Sequence, residues 1–368
     1  MFNLKKKKQI LQLEDSLTQA NSKITELEKQ LNSIRALLEN MVEGVMTLDK
    51  DSRIVSINNS IEKIFAISKK ESEGRFLLEV IRNNDIAEVV NKVLSDGKFI
   101  SKELTLVWPV QKNFKVNASP ILENSAISGC LLVIHDITEI RRLETVRQDF
   151  VANVSHELKT PLTSIKGFVE TLLEGALEDK ENSRHFLEII RDHANRLDSL
   201  VNDLLDLSHL ESKEIALRKE EVNLKNLADD IIASFRSHLK KGAVVIKNDL
   251  PSNLVAKVDK DKIGQVFTNL IGNAIKFNRE NGTIKVYHQE SGDKIQIFVE
   301  DSGIGIPPKD IPRIFERFYR VDKARSRELG GTGLGLSIVK HIIELHNGSV
   351  GVESTEGLGS KFYFYLPK

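Results

Sequence analysis

The chain has 368 residues, of which 40% are hydrophobic and 29% are charged. This composition is that of an ordinary globular chain of two or three domains, and it excludes collagen-like, mucin-like and wholly disordered proteins. Lys plus Arg total 53 and Asp plus Glu total 53, so no net field attracts the molecule to nucleic acid or to an anionic membrane. We expect no nucleic-acid partner.

A single cysteine, Cys130, excludes a disulfide framework and a Cys-based zinc site, and it favours a reducing compartment. The longest apolar stretch surrounds this residue and is far shorter than the ~18 residues that span a bilayer. The basic start at residues 1–8 is followed by neither an apolar core nor a small-residue cleavage site, so it does not predict a signal peptide. We expect no transmembrane segment and a cytoplasmic location.

Residues 1–40 carry apolar side chains at alternating steps of three and four. The steps continue across several heptads without Gly or Pro. They predict a coiled coil rather than a helix on a globular core, whose apolar stripe is usually broader. The positions are Ile10, Leu13, Leu17, Ala20, Ile24, Leu27, Leu31, Ile34, Leu38 and Met41.

The next segment, residues 41–138, is built from short β-rich and helical runs. Residues 45–48 and 53–58 predict a hairpin around a polar turn. After several helical stretches, strand candidates follow at residues 102–108, 113–119 and 129–135. This order resembles a PAS sensor domain, an α/β fold. Cys130 and His135 fall on the last strand, where we expect structural roles rather than flavin or haem chemistry.

Residues 139–212 predict two helices separated near residues 175–182. The second helix carries an apolar seam at steps of four and three, formed by Phe186, Ile190, His193, Leu197, Leu200, Leu204 and Leu207. Two helices cannot bury such a seam alone. The economical solution is a four-helix bundle made by two chains, and therefore a homodimer.

Residues 213–368 alternate helix and strand and predict an α/β sandwich of two layers. The helices are predicted at residues 224–241, 260–277 and 335–347, and the strands at residues 244–248, 283–289, 294–300, 349–354 and 360–366. The whole sequence therefore predicts a multidomain α+β protein with segments 1–40, 41–138, 139–212 and 213–368.

His156 lies on the first helix of the predicted hairpin. An apolar stripe that should be buried leaves this imidazole on the opposite, solvent-facing side; the stripe is Val151, Val154, Leu158, Leu162, Ile165, Val169 and Leu172. A histidine is substantially neutral at pH 7 and is a competent nitrogen nucleophile. Pro161 removes the hydrogen bond to the Glu157 carbonyl and should bend the helix, at a cost of about 3 kcal/mol. That defect favours a functional histidine over a solvated surface residue.

The last segment contains patches suited to a nucleotide. Asn269, Asn273 and Lys276 form one line along a helix, where amide oxygens suit Mg²⁺ and an ammonium group suits phosphate. Asp301 can accept a hydrogen bond from an exocyclic amine such as that of adenine, and the nearby Gly303 and Gly305 allow close approach to a flat ligand.

Two patches further along suit a polyphosphate. The glycine-rich run at residues 330–335 opens a helix and can form an anion cradle. Basic residues precede it at Arg317, Arg320, Lys323, Arg325 and Arg327. Taken singly, these patches are also compatible with an exposed polar stripe, a glycine turn or a solvated loop.

Together the patches closely resemble a known family. His156 with its flanks and residues 269–277, 301–305, 315–318 and 331–335 resemble the H, N, G1, F and G2 boxes of the sensor histidine kinases of two-component signalling, in the same order and spacing. The run His-Glu-Leu-Lys-Thr-Pro-Leu-Thr is similar to the subgroup of the phosphate-regulon sensor kinase, in which a PAS domain also precedes the bundle. Those relatives usually carry transmembrane helices.

The resemblance implies that His156 takes the γ-phosphoryl group of ATP and passes it to an aspartate of a response-regulator receiver domain. Glu157 would assist as base or orienting group, and Thr160 would position water for dephosphorylation of the regulator. For the nucleotide, the resemblance implies that Asn273 binds Mg²⁺ with Asn269 in support, that Lys276 and Arg320 contact phosphate, and that Asp301 contacts adenine. Gly331, Gly333 and Gly335 would belong to a mobile ATP lid. The other implied nucleotide-binding residues are Phe277, Gly303, Gly305, Thr332 and Leu334.

Two other classes stay open at this point. The last segment also resembles the ATPases shared by topoisomerases, mismatch-repair proteins and chaperones, which would imply ATP-driven conformational work without histidine phosphorylation. The second alternative is a non-enzymatic dimeric PAS scaffold. The complete His156 patch argues against the first class, and the intact nucleotide patches argue against the second.

Overall fold

The computed structural model describes residues 2–106, 111–211, 217–236, 244–292, 294–322 and 331–367, with side chains for all of them except 2–16, 180, 211 and 291. The chain divides into two compact units, Met1–Arg147 and Gln148–Lys368. Trp108, at the end of a predicted strand, and the basic residues Lys323, Arg325 and Arg327 lie outside the described residues.

The first unit contains a long N-terminal helix followed by a mixed fold. Its elements are α1 (Phe2–Asn40), β1 (Gly44–Asp49), β2 (Ile54–Ile57), α2 (Asn59–Phe65), α3 (Lys69–Ser72), α4 (Leu77–Val80), α5 (Asn84–Asp96), β3 (Ile100–Leu106), β4 (Lys112–Glu123) and β5 (Ala126–Asp136). The strands pair antiparallel in the order β2-β1-β5-β4-β3. The hairpin and the three later strands were predicted from sequence.

A buried asparagine side chain at the start of α2 joins it to the end of α1. The Asn58 side chain donates to the carbonyls of Leu38 and Glu43 and accepts from the amides of Val45 and Ile61. Every polar atom of this buried side chain is thereby used. The predicted heptad side chains of α1 are largely exposed within one chain, since Leu17, Ile24, Leu27, Leu31 and Ile34 are each more than half exposed.

The boundary between the units falls within α6 (Thr138–Thr171), which runs through Pro161 as helix. A short π-helical segment, Leu172–Ala176, and a turn lead to α7 (Lys180–Glu211). The predicted apolar stripe of α6 is only partly buried within one chain, since Val151 and Leu162 are 57% and 59% exposed.

The rest of the second unit is a sandwich of helices on a sheet. Its elements are β6 (Lys219–Asn223), α8 (Leu224–Arg236), β7 (Val244–Asn248), β8 (Val255–Asp259), α9 (Lys260–Lys276), β9 (Gly282–Ser291), β10 (Lys294–Asp301), a 3₁₀ turn (Ile311–Arg313), α10 (Gly335–Leu345), β11 (Ser349–Thr355) and β12 (Gly359–Pro367). The main sheet has the order β11-β12-β10-β9-β7, in which only the β7–β9 pair is parallel, and β6 pairs with β8 separately.

Helix α7 belongs to the packing of this sandwich. Leu200, Leu207 and Leu210 are buried in the same cluster as Phe267 of α9 and Ile342 of α10. The hairpin helix and the sandwich therefore share one apolar core. Among the described residues, no helix combines the length and the apolar character needed to cross a bilayer.

Candidate active site

A cavity of about 320 Å³ opens beside α9, at the end of β10 and at the loop before α10. It is lined by most of the nucleotide residues predicted from sequence, namely Asn269, Asn273, Lys276, Phe277, Asp301, Gly305, Arg320, Gly331, Thr332, Gly333 and Gly335. Two predicted residues do not line it. Leu334 is fully buried in the core of the sandwich, and the amide of Gly303 donates to Asp301.

Helix α9 presents its polar line to the cavity because its other residues are required in the core. Its N-terminus is capped by Asp259, whose carboxylate accepts from the amide of Lys262. Ile263, Val266, Phe267, Leu270, Ile271 and Ala274 are buried. The remaining face carries Asn269, Asn273 and Lys276 at helical spacing.

Lys276 lies in a positive environment. Burial, together with the positive charges of Arg320 and Arg196, lowers its pKa to about 8. A phosphate would relieve both effects, since it supplies the missing negative charge. Burial disfavours the charged form of an acid and therefore raises the pKa of Asp301. Hydrogen bonds from the amides of Gly303 and Ser360 lower that pKa, but by less.

Two cavity glycines are required by the backbone itself. Gly305 has a φ of +68°, and a Cβ there would collide with the carbonyl of Thr355. Gly333 has a φ of +77° and lies against Phe318, whose amide donates to the Gly333 carbonyl at 2.9 Å. These two glycines therefore let other backbone segments of the protein pack closely against them, in addition to lining the cavity.

The donor set suits magnesium that arrives with a polyphosphate. No cluster of three His, Cys, Asp or Glu side chains able to hold a metal occurs in the part of the chain that the structure describes. Mg²⁺ commonly takes one or two protein ligands together with phosphates and waters. The amides of Asn269 and Asn273 in the cavity fit that role.

His156 is exposed on α6, as predicted, and Thr160 is exposed one turn later. The Thr160 hydroxyl donates to the His156 carbonyl at 3.1 Å. Neither residue lines the cavity.

Glu157 connects the His156 helix to the cavity. Its Oε2 lies 2.8 Å from the guanidinium of Arg320, which lines the cavity, and 3.3 Å from that of Arg196 on α7. The three side chains are 15%, 6% and 15% exposed respectively, so water screens these charges only weakly.

Sequence reasoning missed the contribution of α7 to the cavity wall. Ser199 and Asp203 line it, and the Asp203 carboxylate accepts a hydrogen bond from Thr332 at 2.6 Å. Tyr319 also lines the cavity and donates to the buried Asp310 at 2.6 Å. The available signal was weak: Ser199 and Asp203 lie four residues apart on α7, each directly before a leucine of the apolar seam.

Three family models match the chain in succession. They are the PAS fold at residues 38–142, the His Kinase A (phospho-acceptor) domain at residues 146–213, and the histidine kinase-, DNA gyrase B- and HSP90-like ATPase at residues 258–368. The hairpin that carries His156 overlaps the second match, and the third match covers the sandwich from β8 onward, including the described residues of the cavity from Asn269 to Phe362. This combination defines a PAS-containing protein-histidine kinase.

Similar proteins agree with this class. Two Staphylococcus aureus proteins named sensor protein kinase WalK, one of them from strain Newman, are 35% identical to this chain over 350 residues, or 93% of it. The chain spans 56% of the strain Newman protein and 82% of the other. The crystal structure of histidine kinase ThkA in complex with response regulator protein TrrA has a TM-score of 0.50 and 28% identity, over 90% of this chain and 98% of that one. The chain belongs to the sensor histidine kinase family.

Proposed function

We propose that this chain phosphorylates its own His156 with ATP and transfers the phosphoryl group to an aspartate of a response-regulator receiver domain. The observation that carries the proposal is the Glu157–Arg320 ion pair, because it joins the residue next to His156 to a side chain of the cavity. A nucleotide in the cavity would then have its phosphate end directed toward the His156 helix.

The cavity offers a partner for each part of Mg-ATP. The Asp301 carboxylate accepts from the adenine amine, and Lys276 and Arg320 bind the phosphates. Asn273 would hold Mg²⁺ with Asn269 in support, and the bound ion would supply positive charge to the triphosphate. Phe277 and the glycine loop of Gly331, Gly333 and Gly335, with Thr332, complete the walls.

The chemical step follows from the nature of an imidazole. The unprotonated ring nitrogen of His156 attacks the γ-phosphorus, the bond from phosphorus to the β,γ-bridging oxygen breaks, and ADP leaves with the electron pair. The proton on the other ring nitrogen becomes acidic as the ring gains positive charge. The Glu157 carboxylate takes this proton or holds it by a hydrogen bond.

The receiver domain is proposed from chemistry and from a relative. A phosphohistidine is a reactive donor on an exposed helix face, so a partner can reach it. ThkA has been crystallised with its response regulator, and we propose an equivalent partner for this chain. We also propose that Thr160 positions a water molecule that hydrolyses the regulator's aspartyl phosphate, a second activity that opposes phosphotransfer.

We propose a homodimer in which a second copy covers the apolar faces that one chain leaves open. On α7, Leu187, Val201 and Leu205 are 53%, 43% and 54% exposed. They form a face different from the predicted seam, since Leu200 and Leu207 of that seam are buried against the sandwich. The exposed stripe of α1 would extend the same dimer as a coiled coil.

The domain boundaries at residues 40, 138 and 212 stay proposals, as does the placement of the catalytic segments in the cytoplasm, where ATP is available.

The test is incubation of the full chain with γ-labelled ATP and Mg²⁺, followed by acid and base treatment. Phosphohistidine is labile in acid and stable in base. Label with that profile supports the proposal, whereas release of inorganic phosphate without protein labelling would indicate an ATPase of the gyrase and chaperone type.

A further inference from the structure

Two arginines share one carboxylate oxygen between the hairpin and the sandwich. Arg196 from α7 and Arg320 from the cavity both approach Oε2 of Glu157, at 3.3 and 2.8 Å. Oε1 accepts no hydrogen bond from the residues that the structure describes. Glu157 is thus held by one oxygen, and the other is available to a neighbour.

Arg320 has a second possible use. Its Nε is buried and lacks a hydrogen-bond partner within the described ranges, and its side chain lines the cavity beside Lys276. A buried, unsatisfied guanidinium N–H is costly, and an incoming phosphate oxygen can satisfy it bidentately together with a terminal nitrogen. The terminal nitrogen now on Glu157 would then be drawn to the phosphate.

Arg196 contributes its charge to the surroundings of Lys276, but its side chain does not line the cavity and so has no direct route to a phosphate there. Once Arg320 turns to phosphate, Arg196 still contacts Oε2 of Glu157. Without Arg196, a largely buried carboxylate would lose its charge partner at that moment, and its side chain would be free to change rotamer.

We propose that Arg196 is a positioning residue for autophosphorylation: it holds Oε2 of Glu157 while Arg320 exchanges from Glu157 to the γ-phosphate, so that Oε1 is left to accept the proton of the His156 imidazole. This inference rests on the proposed function and extends it to a residue of α7. It requires that Arg196 act through Glu157 and leave ATP binding unchanged.

The test is the initial rate of His156 labelling as a function of ATP concentration in the full chain. Arg196→Met should lower kcat by about tenfold or more, within the range for a misplaced acid–base group, and leave KM for ATP within about twofold. Arg196→Lys should recover part of kcat, since it keeps the charge. Arg191→Met is the matched control and should behave as wild type. Arg191 is an exposed arginine of the same helix, and it pairs with the equally exposed Asp192.

A double-mutant cycle separates positioning from a structural role. If Arg196 acts through Glu157, then Glu157→Gln combined with Arg196→Met should be no slower than Glu157→Gln alone. Additive losses, an ATP KM raised in Arg196→Met, or a kcat equal to that of wild type would overturn the inference. If the wild-type chain takes no acid-labile label, the proposed function itself fails, and that outcome is distinguishable from all three.

Discussion

The hydroxyl of Thr332 donates a hydrogen bond of 2.6 Å to the carboxylate of Asp203, although 129 positions separate the two residues in the sequence. Thr332 lies in the glycine loop before α10, and Asp203 lies on the hairpin helix α7. The wall of the proposed ATP cavity therefore includes an acid from the domain that carries His156. Burial raises the pKa of Asp203, and the nearby Asp206 acts in the same direction, against the hydrogen bond from Thr332.

Asp203→Asn should bind ATP more tightly than wild type. The asparagine oxygen can still accept from Thr332, but the negative charge that opposes the triphosphate is gone. We expect the Kd for ATP to fall roughly three- to tenfold, about 1 kcal/mol. Titration with a fluorescent ATP analogue measures it, and Asp198→Asn, on the exposed side of the same helix, is the control. An unchanged or weaker affinity would show that Asp203 does not face the phosphates.

ATP affinity should fall as the pH rises through about 8. The pKa of Lys276 is lowered to about 8, so its ammonium group is present below that pH and is lost above it. A neutral amine attracts phosphate less, and Kd can therefore rise by up to about tenfold for each pH unit above 8. Lys276→Arg keeps its charge across this range.

The comparison is the Kd of wild type and Lys276→Arg between pH 7 and 9.5. The arginine variant should give the flatter curve. Curves of equal slope would place the titration at another group and remove Lys276 from the phosphate site.

The dimer should dissociate fully when both open apolar faces are charged, and partly when one of them is. Leu187→Glu with Val201→Glu disrupts the exposed face of α7, and Ile24→Glu with Leu31→Glu disrupts that of α1, because buried like charges oppose association. By light scattering, the fourfold variant should be a monomer at micromolar concentration, with each pair intermediate. Asn202→Glu, a polar position on α7, is the control. A dimeric fourfold variant, or a monomeric wild type, contradicts the assignment.

Thr160→Ala should separate the two activities. The hydroxyl is exposed near the His156 face, and its donor is used by the His156 carbonyl, so only its oxygen remains to accept from a water. Autophosphorylation should stay within a few-fold of wild type, while dephosphorylation of the regulator should fall by ~100-fold. Decay of purified phospho-regulator, with ADP and the kinase present, measures this. Equal loss of both activities would mean that the hydroxyl only stabilises the helix.

The sequence was sufficient for elements with a strong period. Helix α9 and strands β9, β10, β11 and β12 lie close to their predicted limits, because their apolar residues recur at helical or alternating spacing. The pair β6 and β8 was not predicted. Strand β6 has the sequence Lys-Glu-Glu-Val-Asn, in which Val222 is the only residue that the fold buries. Strand β6 forms because it can pair with β8, and its own sequence has no alternating apolar pattern that would predict a strand.

The same difference applies to the site. Residues within one motif, such as Asn269 and Asn273, could be placed together from helical spacing alone. Asp203 and Arg196 could not, because their partners, Thr332 and Glu157, lie on other elements far along the chain. Local pattern does not encode which faces of two helices meet, and that pairing decides the cavity wall. The apolar seam of α7 was expected to be buried by a second chain, yet Leu200 and Leu207 of that seam pack on the sandwich of the same chain.

The most direct test of the central claim is a comparison of His156→Gln with His185→Gln, an exposed histidine of α7. Labelling by γ-labelled ATP and the Kd for ATP are measured on the same preparations of the full chain. We predict that His156→Gln takes no acid-labile label and binds ATP with the wild-type Kd, because the nucleophile does not line the cavity, while His185→Gln behaves as wild type in both assays. Acid-labile label on His156→Gln would contradict the assignment of His156 as the phosphoacceptor.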